Sequence, residues 1–581
     1  MTRAFKALLV LVVIAALGWG VWRVASRGVG SPTPAEKSAR ISPGGELVAS
    51  LRSDPSTYNR YAPDGARAAT ELLSLLLHAR LVRVNRSTDD LEPMLAEGWT
   101  RSDDGLTYTL RLRHGVRFSD GAPFTSDDVV FSFRAAYDES LKSSIGASMR
   151  VNGKALAVSA PDPHTVVLGF PEPFAPGLRL LDNLPILPKH RLGSALEAGR
   201  FAEEWVPSKP VTDVVGLGPF VLVEHVSGQR VVLERNPHYF RRDAQGQVLP
   251  YLDRLTIAIV PDQTAEGLRL EAGEIDLMSS GEIRPQDYSG FKRSAESGAI
   301  RLIEAGIGLD PDFLAFNLTP SPARDKQRAW LRRREFRQAV SWAVSRQAII
   351  DTVYLGAAVP ISGPVTPGNR TWFDGDRPAP GPDPARARQL LATLGLRDIN
   401  GDGSLEDQRG AAVRFSIMTQ AGHNRERVAT VIQEQLRQVG VAVEIVALDP
   451  GGLFTRWQAG DYDAMYFGLQ SSVTDPWLNS DFWLSSGAYH FWNPAQKTPG
   501  TAWESRIDTL MRDNAAVPDL GRRRQVFAEI QGIFAEELPL VYFVAPRLML
   551  ATSQRVVNPT PAPQIPQLLW SADTLGAATS R

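Results

Sequence analysis

Two stretches of the chain carry side chains whose types and spacing could do chemistry. In Asp398-Ile399-Asn400-Gly401-Asp402-Gly403-Ser404-Leu405-Glu406-Asp407, oxygen donors stand at positions 1, 3 and 5 with glycine at position 6, the first half of a calcium loop. Arg409 occupies position 12, where such a loop needs a bidentate carboxylate, so Glu406 or Asp407 would have to substitute. The loop is therefore either a calcium site built from Asp398, Asn400, Asp402 and Glu406, or a surface turn in which the same residues bind their own backbone. The second stretch is aromatic. Eleven rings lie between Trp457 and Trp503, with Asp475-Pro476 among them. Rings give a cleft large apolar contact area with few rotamers to freeze, so about a third of these are expected to line a ligand site and the rest to be core.

Constellations for catalysis are missing from the sequence. There is no G-x-S-x-G elbow, no P-loop and no H-E-x-x-H, and the eight histidines are scattered. His190 reads as a turn residue satisfying local groups, and the pairs Asp103-Asp104 and Asp127-Asp128 as turn and helix-start residues. No enzymatic activity and no cofactor is expected, calcium apart.

Several elements that would position these residues are legible. Thr107–Arg113 alternates as a half-buried strand, and Ser119-Asp120-Gly121 followed by Pro123 forms a turn. Thr125 stands three residues before Asp128, as at a capped helix start, and Val129, Phe133, Ala136 and Tyr137 form the apolar stripe of the helix that follows. Phe415–Thr419 alternates, Val428, Val431, Ile432, Leu436 and Val439 share a helical stripe, Gly440 can close that helix, and Val441, Val443 and Ile445 alternate again. This is a βαβ unit, whose strands should be parallel. A late helix over Arg522–Glu537 precedes an apolar strand, Leu540–Val544.

The 581 residues, 43% hydrophobic, imply two or three compact units. Sixty-three basic residues against 64 acidic leave no surplus for a nucleic-acid binder. The runs Arg332-Arg333-Arg334 and Arg522-Arg523-Arg524 read as solvated helix faces. Arg3 and Lys6 ahead of the apolar run Ala7–Trp22 make an export signal, either a cleaved signal peptide or a retained anchor over residues 7–24. Ser31-Pro32-Thr33-Pro34 opens a linker over 31–43.

The stretch Ser102–Arg134, SDDGLTYTLRLRHGVRFSDGAPFTSDDVVFSFR, resembles the signature of bacterial extracellular solute-binding protein family 5, the oligopeptide-, dipeptide- and nickel-binding receptors of ABC importers. Leu91–Trp99, Ile186–Leu192, Gly216–Phe220, Arg235–Phe240, Phe316-Asn317 and the helix Phe336–Gly356 resemble further landmarks in family order, from about Gly44 to about Leu550. The resemblance implies an α/β, two-lobed periplasmic binding protein-like fold (type II, cluster C) with an extra inserted domain. Lobe I would comprise 44–66, 211–305 and 541–575, the inserted domain 67–210 and lobe II 306–540, after a signal region at 1–30.

The implied function is an extracytoplasmic receptor, periplasmic or envelope-attached, that closes on a peptide or similar solute and delivers it to an ABC permease, acting as a monomer. A sensor or chaperone module docking a protein partner is the alternative, as is a non-peptide solute such as an oligosaccharide. The lipid-acceptor cysteine of many relatives is missing, since the chain has no cysteine. The resemblance places Asp475-Pro476 at the interlobe cleft, giving Trp477, Trp483, Asp475 and Gln470 as ligand-binding residues, with Tyr58 and Asn59 facing them and Trp372 beyond the Pro360–Pro367 connection. Peptide-binding relatives commonly carry an acid three residues before the Asp-Pro pair, where it meets the α-ammonium group. Ser472 stands there in this chain and is also read as a ligand-binding residue, one whose neutral hydroxyl cannot supply the charge-assisted bond.

Overall fold

The computed structural model describes residues 41–279, 282–322, 328–377, 379–422, 424–469 and 474–578. Contacts divide the chain into two units, 1–43 and 44–581. The expected signal or anchor, and most of the linker, lie outside the described residues. Among the described residues no helix is long and apolar enough to cross a membrane.

Among the described residues three larger sheets stand beside three two-stranded ones. The first has eight strands in the order Phe220–Val226, Arg230–Arg235, Arg254–Ile259, Glu46–Leu51, Leu277–Met278, Val544–Ser553 and Ile300–Ile307, with Ala358–Pro360 also paired to Val544–Ser553. Glu46–Leu51 runs parallel to Arg254–Ile259, Val48 opposite Thr256. The second has five strands, Ala442–Leu448, Arg414–Gln420, Ala464–Phe467, Phe313–Phe316 and Leu540–Tyr542. The third, of four strands, falls within residues 96–169. The first sheet draws its strands from 46–51, 220–307 and 544–553 and takes Ala358–Pro360 from the 306–540 segment, the second from 313–467 and 540–542, and the third from 96–169.

The βαβ unit forms as its pattern requires. Arg414–Gln420 and Ala442–Leu448 are parallel, Ile417 opposite Ile445, and the helix Asn424–Arg437 between them buries Val428, Ile432 and Leu436. Gly440, at φ +84°, takes the left-handed turn out of the helix, which an L side chain rarely adopts.

In the inserted domain Thr107–Leu112 buries Tyr108, Leu110 and Leu112 on one face. Gly121 takes φ +85° in the turn that follows. The helix Ser126–Ala136 starts as read, with the Thr125 amide donating to Asp128 Oδ2 at 2.9 Å. Asp128 Oδ1 accepts from the Lys189 amide at 3.0 Å, and His190 Nε2 lies 2.9 Å from Asp120 Oδ2. The signature thus ties the turn and the helix start to the Ile186–Leu192 segment.

Two elements differ from their sequence reading. Residues 336–356 form two helices, Arg334–Ala343 and Arg346–Thr352, because Ser345 caps the second by accepting from Ala348 N at 3.1 Å. The buried Arg346 guanidinium crosses the break, donating to the carbonyls of Ser341, Ile361 and Tyr542. The strand read over Leu540–Val544 is divided at Phe543: Leu540–Tyr542 belongs to the second sheet and Val544–Ser553 to the first. Phe543 is fully buried and its carbonyl accepts from Ile361 N at 3.0 Å, so the chain changes sheets inside the protein. It crosses between the same sheets again at residues 308–312.

Candidate functional site

A cavity of about 540 Å³ lies where the three parts meet. Leu51, Arg60, Ser279 and residues 564–566 contribute from lobe I, Arg80, Arg86 and Asp182 from the inserted domain, and Thr474, Trp477 and Asp481 from lobe II. Its size is within the range of small-molecule sites.

Lobe II reaches the cavity through one turn. Asp475 caps the short helix Pro476–Asn479 by accepting from Trp477 N at 3.1 Å, which sets Trp477 in the cavity wall. Both carboxylate oxygens of Asp475 accept from Arg523 at 2.9 Å, and the two side chains are 3% and 5% exposed. Arg523 also donates to the Asn514 backbone carbonyl and to Asn514 Oδ1, and its guanidinium lies 4.8 Å from the centroid of Trp372. The turn is therefore held from below by a buried bidentate ion pair.

The inserted domain reaches the cavity through the hairpin between Val82–Val84 and Leu91–Pro93. Asn85 fixes its turn: Oδ1 accepts from the amides of Ser87 and Thr88, and Nδ2 donates to Glu92 at 2.7 Å. On this turn Asp89, at φ +66°, pairs with Arg179 and accepts from two lobe II hydroxyls, Thr474 Oγ1 at 2.6 Å and Thr371 Oγ1 at 3.3 Å. Arg179 donates to Thr474 Oγ1 at 2.9 Å. The hairpin is thereby latched to lobe II beside the cavity.

Five arginines and three acids line the cavity. Arg60 pairs with Glu71, and Arg80 Nε donates to the Asp182 carbonyl at 2.5 Å. Burial pushes Arg80 down to about 10 against the pull of Asp182, so it stays charged at neutral pH. Burial likewise lowers Arg86, with Asp182 and Glu71 opposing.

Residues 90–491, more than half of the chain, match the family model described as bacterial extracellular solute-binding proteins, family 5 middle. The chain belongs to that family. This solute-binding protein is 28% identical over 570 residues to the oligopeptide-binding protein AppA of Bacillus subtilis, with 96% of each chain covered. It is 27% identical over 561 residues to a probable ABC transporter-binding protein of Deinococcus radiodurans, with 93% of each covered. The structure of B. subtilis AppA in complex with a nonapeptide matches it with a TM-score of 0.69 at 25% identity, over 93% of this chain and 100% of that one. NikA from Brucella suis, in complex with Fe(III)-EDTA, has the same fold, with a TM-score of 0.74 at 20% identity over 92% and 100%.

The binding protein uses its sequence-read residues unevenly. Trp477 lines the cavity; Trp483 lines a smaller one of about 70 Å³ together with Asp475, Phe482 and Phe527. Trp372 lines neither and packs edge-on against Phe527. Tyr58 and Asn59 do not face the cleft as expected. Asn59 is wholly buried, bonding the Phe201 carbonyl and the Tyr61 amide, while Tyr58 meets His225 edge-on and its hydroxyl has no hydrogen-bond partner among the described residues. Arg60, one residue on, is the cavity-lining residue of that loop.

Asp475 has its charge occupied by Arg523, which also corrects the reading of Arg522-Arg523-Arg524 as a uniformly solvated face. Gln470 and Ser472 lie outside the described residues. Of the aromatic stretch, Trp477 alone lines the main cavity among the described residues. Tyr462 and Trp457 donate to the Phe491 carbonyl, and Trp492 donates to Glu504, as core groups.

In the acidic loop, Asp398 accepts from the amides of Gly401 and Gly403, Asn400 from Asp402, and Glu406 from Ile399. Among the described residues no three His, Cys, Asp or Glu side chains are grouped so as to hold a metal. The loop's oxygens thus bind their own backbone, as in an Asx turn.

The hairpin residues Arg86 and Asp89 were not picked out by sequence reasoning. No spacing rule marks them: the partners of Asp89 are Arg179, Thr371 and Thr474, far along the chain.

Proposed function

We propose that this protein is the receptor of an ABC importer, capturing a peptide or similar small solute between its lobes and presenting the closed form to a permease. The observation that carries the proposal is the cavity walled jointly by lobe I, the inserted domain and lobe II, since a site shared by separate sheets couples occupancy to closure. The name of AppA and its nonapeptide complex support a peptide. The crossings at 308–312 and Phe543 would act as the hinge, and backbone amides, a few polar side chains and the Trp477 ring would replace solvent.

The N-terminal segment would carry the chain out of the cytoplasm, into the periplasm or cell envelope, as a cleaved signal or as an anchor over residues 7–24. The protein would work as a monomer and perform no chemistry on its ligand. Native mass spectrometry of gently purified protein tests the proposal. A co-purified small molecule, displaced on unfolding and weakened by Trp477→Ala, is the expected result; a tightly retained protein partner with no small solute would favour the docking alternative.

A further inference from the structure

Two histidines of the inserted domain meet at the end of its sheet, and neither lines the main cavity. Thr107–Leu112 runs antiparallel to Thr165–Gly169, with Arg111 opposite Thr165. One step further the Leu112 amide donates to the His164 carbonyl at 2.8 Å, so His164 stands opposite Leu112. Side chains alternate between faces along a strand, which puts His114, two residues on, diagonally across from His164 on the same face. Their ring centroids are 3.9 Å apart, with the planes at 43°. Aromatic rings that only pack settle about 4.5–7 Å apart, so these two imidazoles are pressed together. Three other histidines are tied to acids instead: His190 to Asp120, His225 to Asp54 and His490 to Glu504.

We propose that His114 and His164 together bind one divalent transition cation of the copper, nickel and zinc class, with water completing its coordination. Imidazole suits these metals, whereas calcium and magnesium take oxygen ligands. His164 is held through its backbone, its amide donating to Asp162 Oδ1 at 2.8 Å, and its Nδ1 is enclosed without a hydrogen-bond partner among the described residues. The bonds from the His164 amide and from Thr165 keep the Asp162 carboxyl below its ordinary range, so a negative charge that favours a cation stays beside the pair at neutral pH. His114 is exposed and followed by Gly115 at φ +72°, in a turn where the ring can swing outward. An ion about 2.0–2.1 Å from one nitrogen of each ring requires the rings to part by roughly 1 Å, which that swing supplies. Two imidazoles hold an ion less firmly than the three or four protein ligands of a resident site, so the pair suits loading and release.

The test is equilibrium dialysis of the untagged full chain in mild detergent, first stripped with chelator, against Cu²⁺, Ni²⁺ or Zn²⁺ alone. Metal analysis reads the amount bound, and electron paramagnetic resonance reads the ligands of copper. One ion per chain should bind through imidazole nitrogen. His114→Gln and His164→Gln should each weaken binding by about 100-fold or more, since the gain from tying two ligands together is lost. Binding should fade on going from about pH 7.5 to about pH 5.5, where imidazole takes up a proton. Calcium should not compete.

No transition metal retained by the unaltered protein, binding unchanged in both glutamine variants, a copper signal without imidazole nitrogen, or displacement by calcium would each overturn the assignment. The co-purified small molecule should be retained equally by the unaltered protein and by His114→Gln, because neither ring lines the main cavity. The receptor reading therefore stands or falls separately.

Discussion

Replacing Thr474 with valine removes the hydroxyl that joins the hairpin to lobe II while leaving the Asp89–Arg179 pair in place. Two bonds are lost, from Thr474 to Asp89 at 2.6 Å and from Arg179 to Thr474 at 2.9 Å. Each involves a charged partner, and hydrogen bonds to charged groups contribute about 1.5–3 kcal/mol when buried. Asp89 and Arg179 are 22% and 18% exposed, so water screens part of this, and about 2 kcal/mol for both bonds together is the working figure. That is a shift of about 30-fold in the closed-to-open ratio.

If closure accompanies binding and opening breaks the latch, the shift is felt as a weaker affinity. Titration calorimetry with the co-purified solute should show Kd raised about 30-fold, with most of the change in the dissociation rate. Thr371→Val, which removes the bond at 3.3 Å and does not line the main cavity, should act in the same direction and more weakly. Thr474→Ser should restore near-normal binding. Unaltered Kd and dissociation rate in both valine variants would refute the latch.

Arg523→Ala should destabilise the protein by about 3–5 kcal/mol, the usual cost of leaving one member of a buried pair uncompensated, and chemical denaturation would measure it. Glu504 predicts an acid dependence. Burial alone would raise its carboxyl, but hydrogen bonds from His490, Trp492 and Thr501 hold it down at about 2 from an ordinary 4.5. A depressed carboxylate stabilises above its unfolded value, so about 3 kcal/mol should be present above pH 4.5 and lost progressively towards pH 2; the melting-temperature gap between wild type and Glu504→Gln should narrow over that window. Asp398→Ala should cost about 1–2 kcal/mol by releasing the amides of Gly401 and Gly403, and the loss should be the same with calcium as with chelator; a loss confined to calcium-containing buffer would restore the metal reading.

Local pattern alone was enough to read the elements that depend on it. The alternation at Thr107–Leu112, the cap at Thr125 and Asp128, and the βαβ unit closed at Gly440 all formed as expected, because period, capping and left-handed turns are set by a few neighbouring residues. The ordered motifs of the resemblance likewise led to the family before any coordinates. The site was another matter.

Asp475 was expected to bind ligand; its charge is spent on Arg523, forty-eight residues on and hidden in an apparently solvated run. Asn59 looked like a cleft residue and is a buried strut, while Arg60 beside it lines the cavity, a one-residue difference that loop periodicity cannot fix. The latch joins Asp89 to Thr474 across 385 residues. Such facts follow from how three sheets meet, and charge compensation across a cleft leaves no trace in local order. Sequence fixes which short segments can fold and to which family they belong; the burial, pairing and exposure that make a binding site exist only once distant segments are packed together.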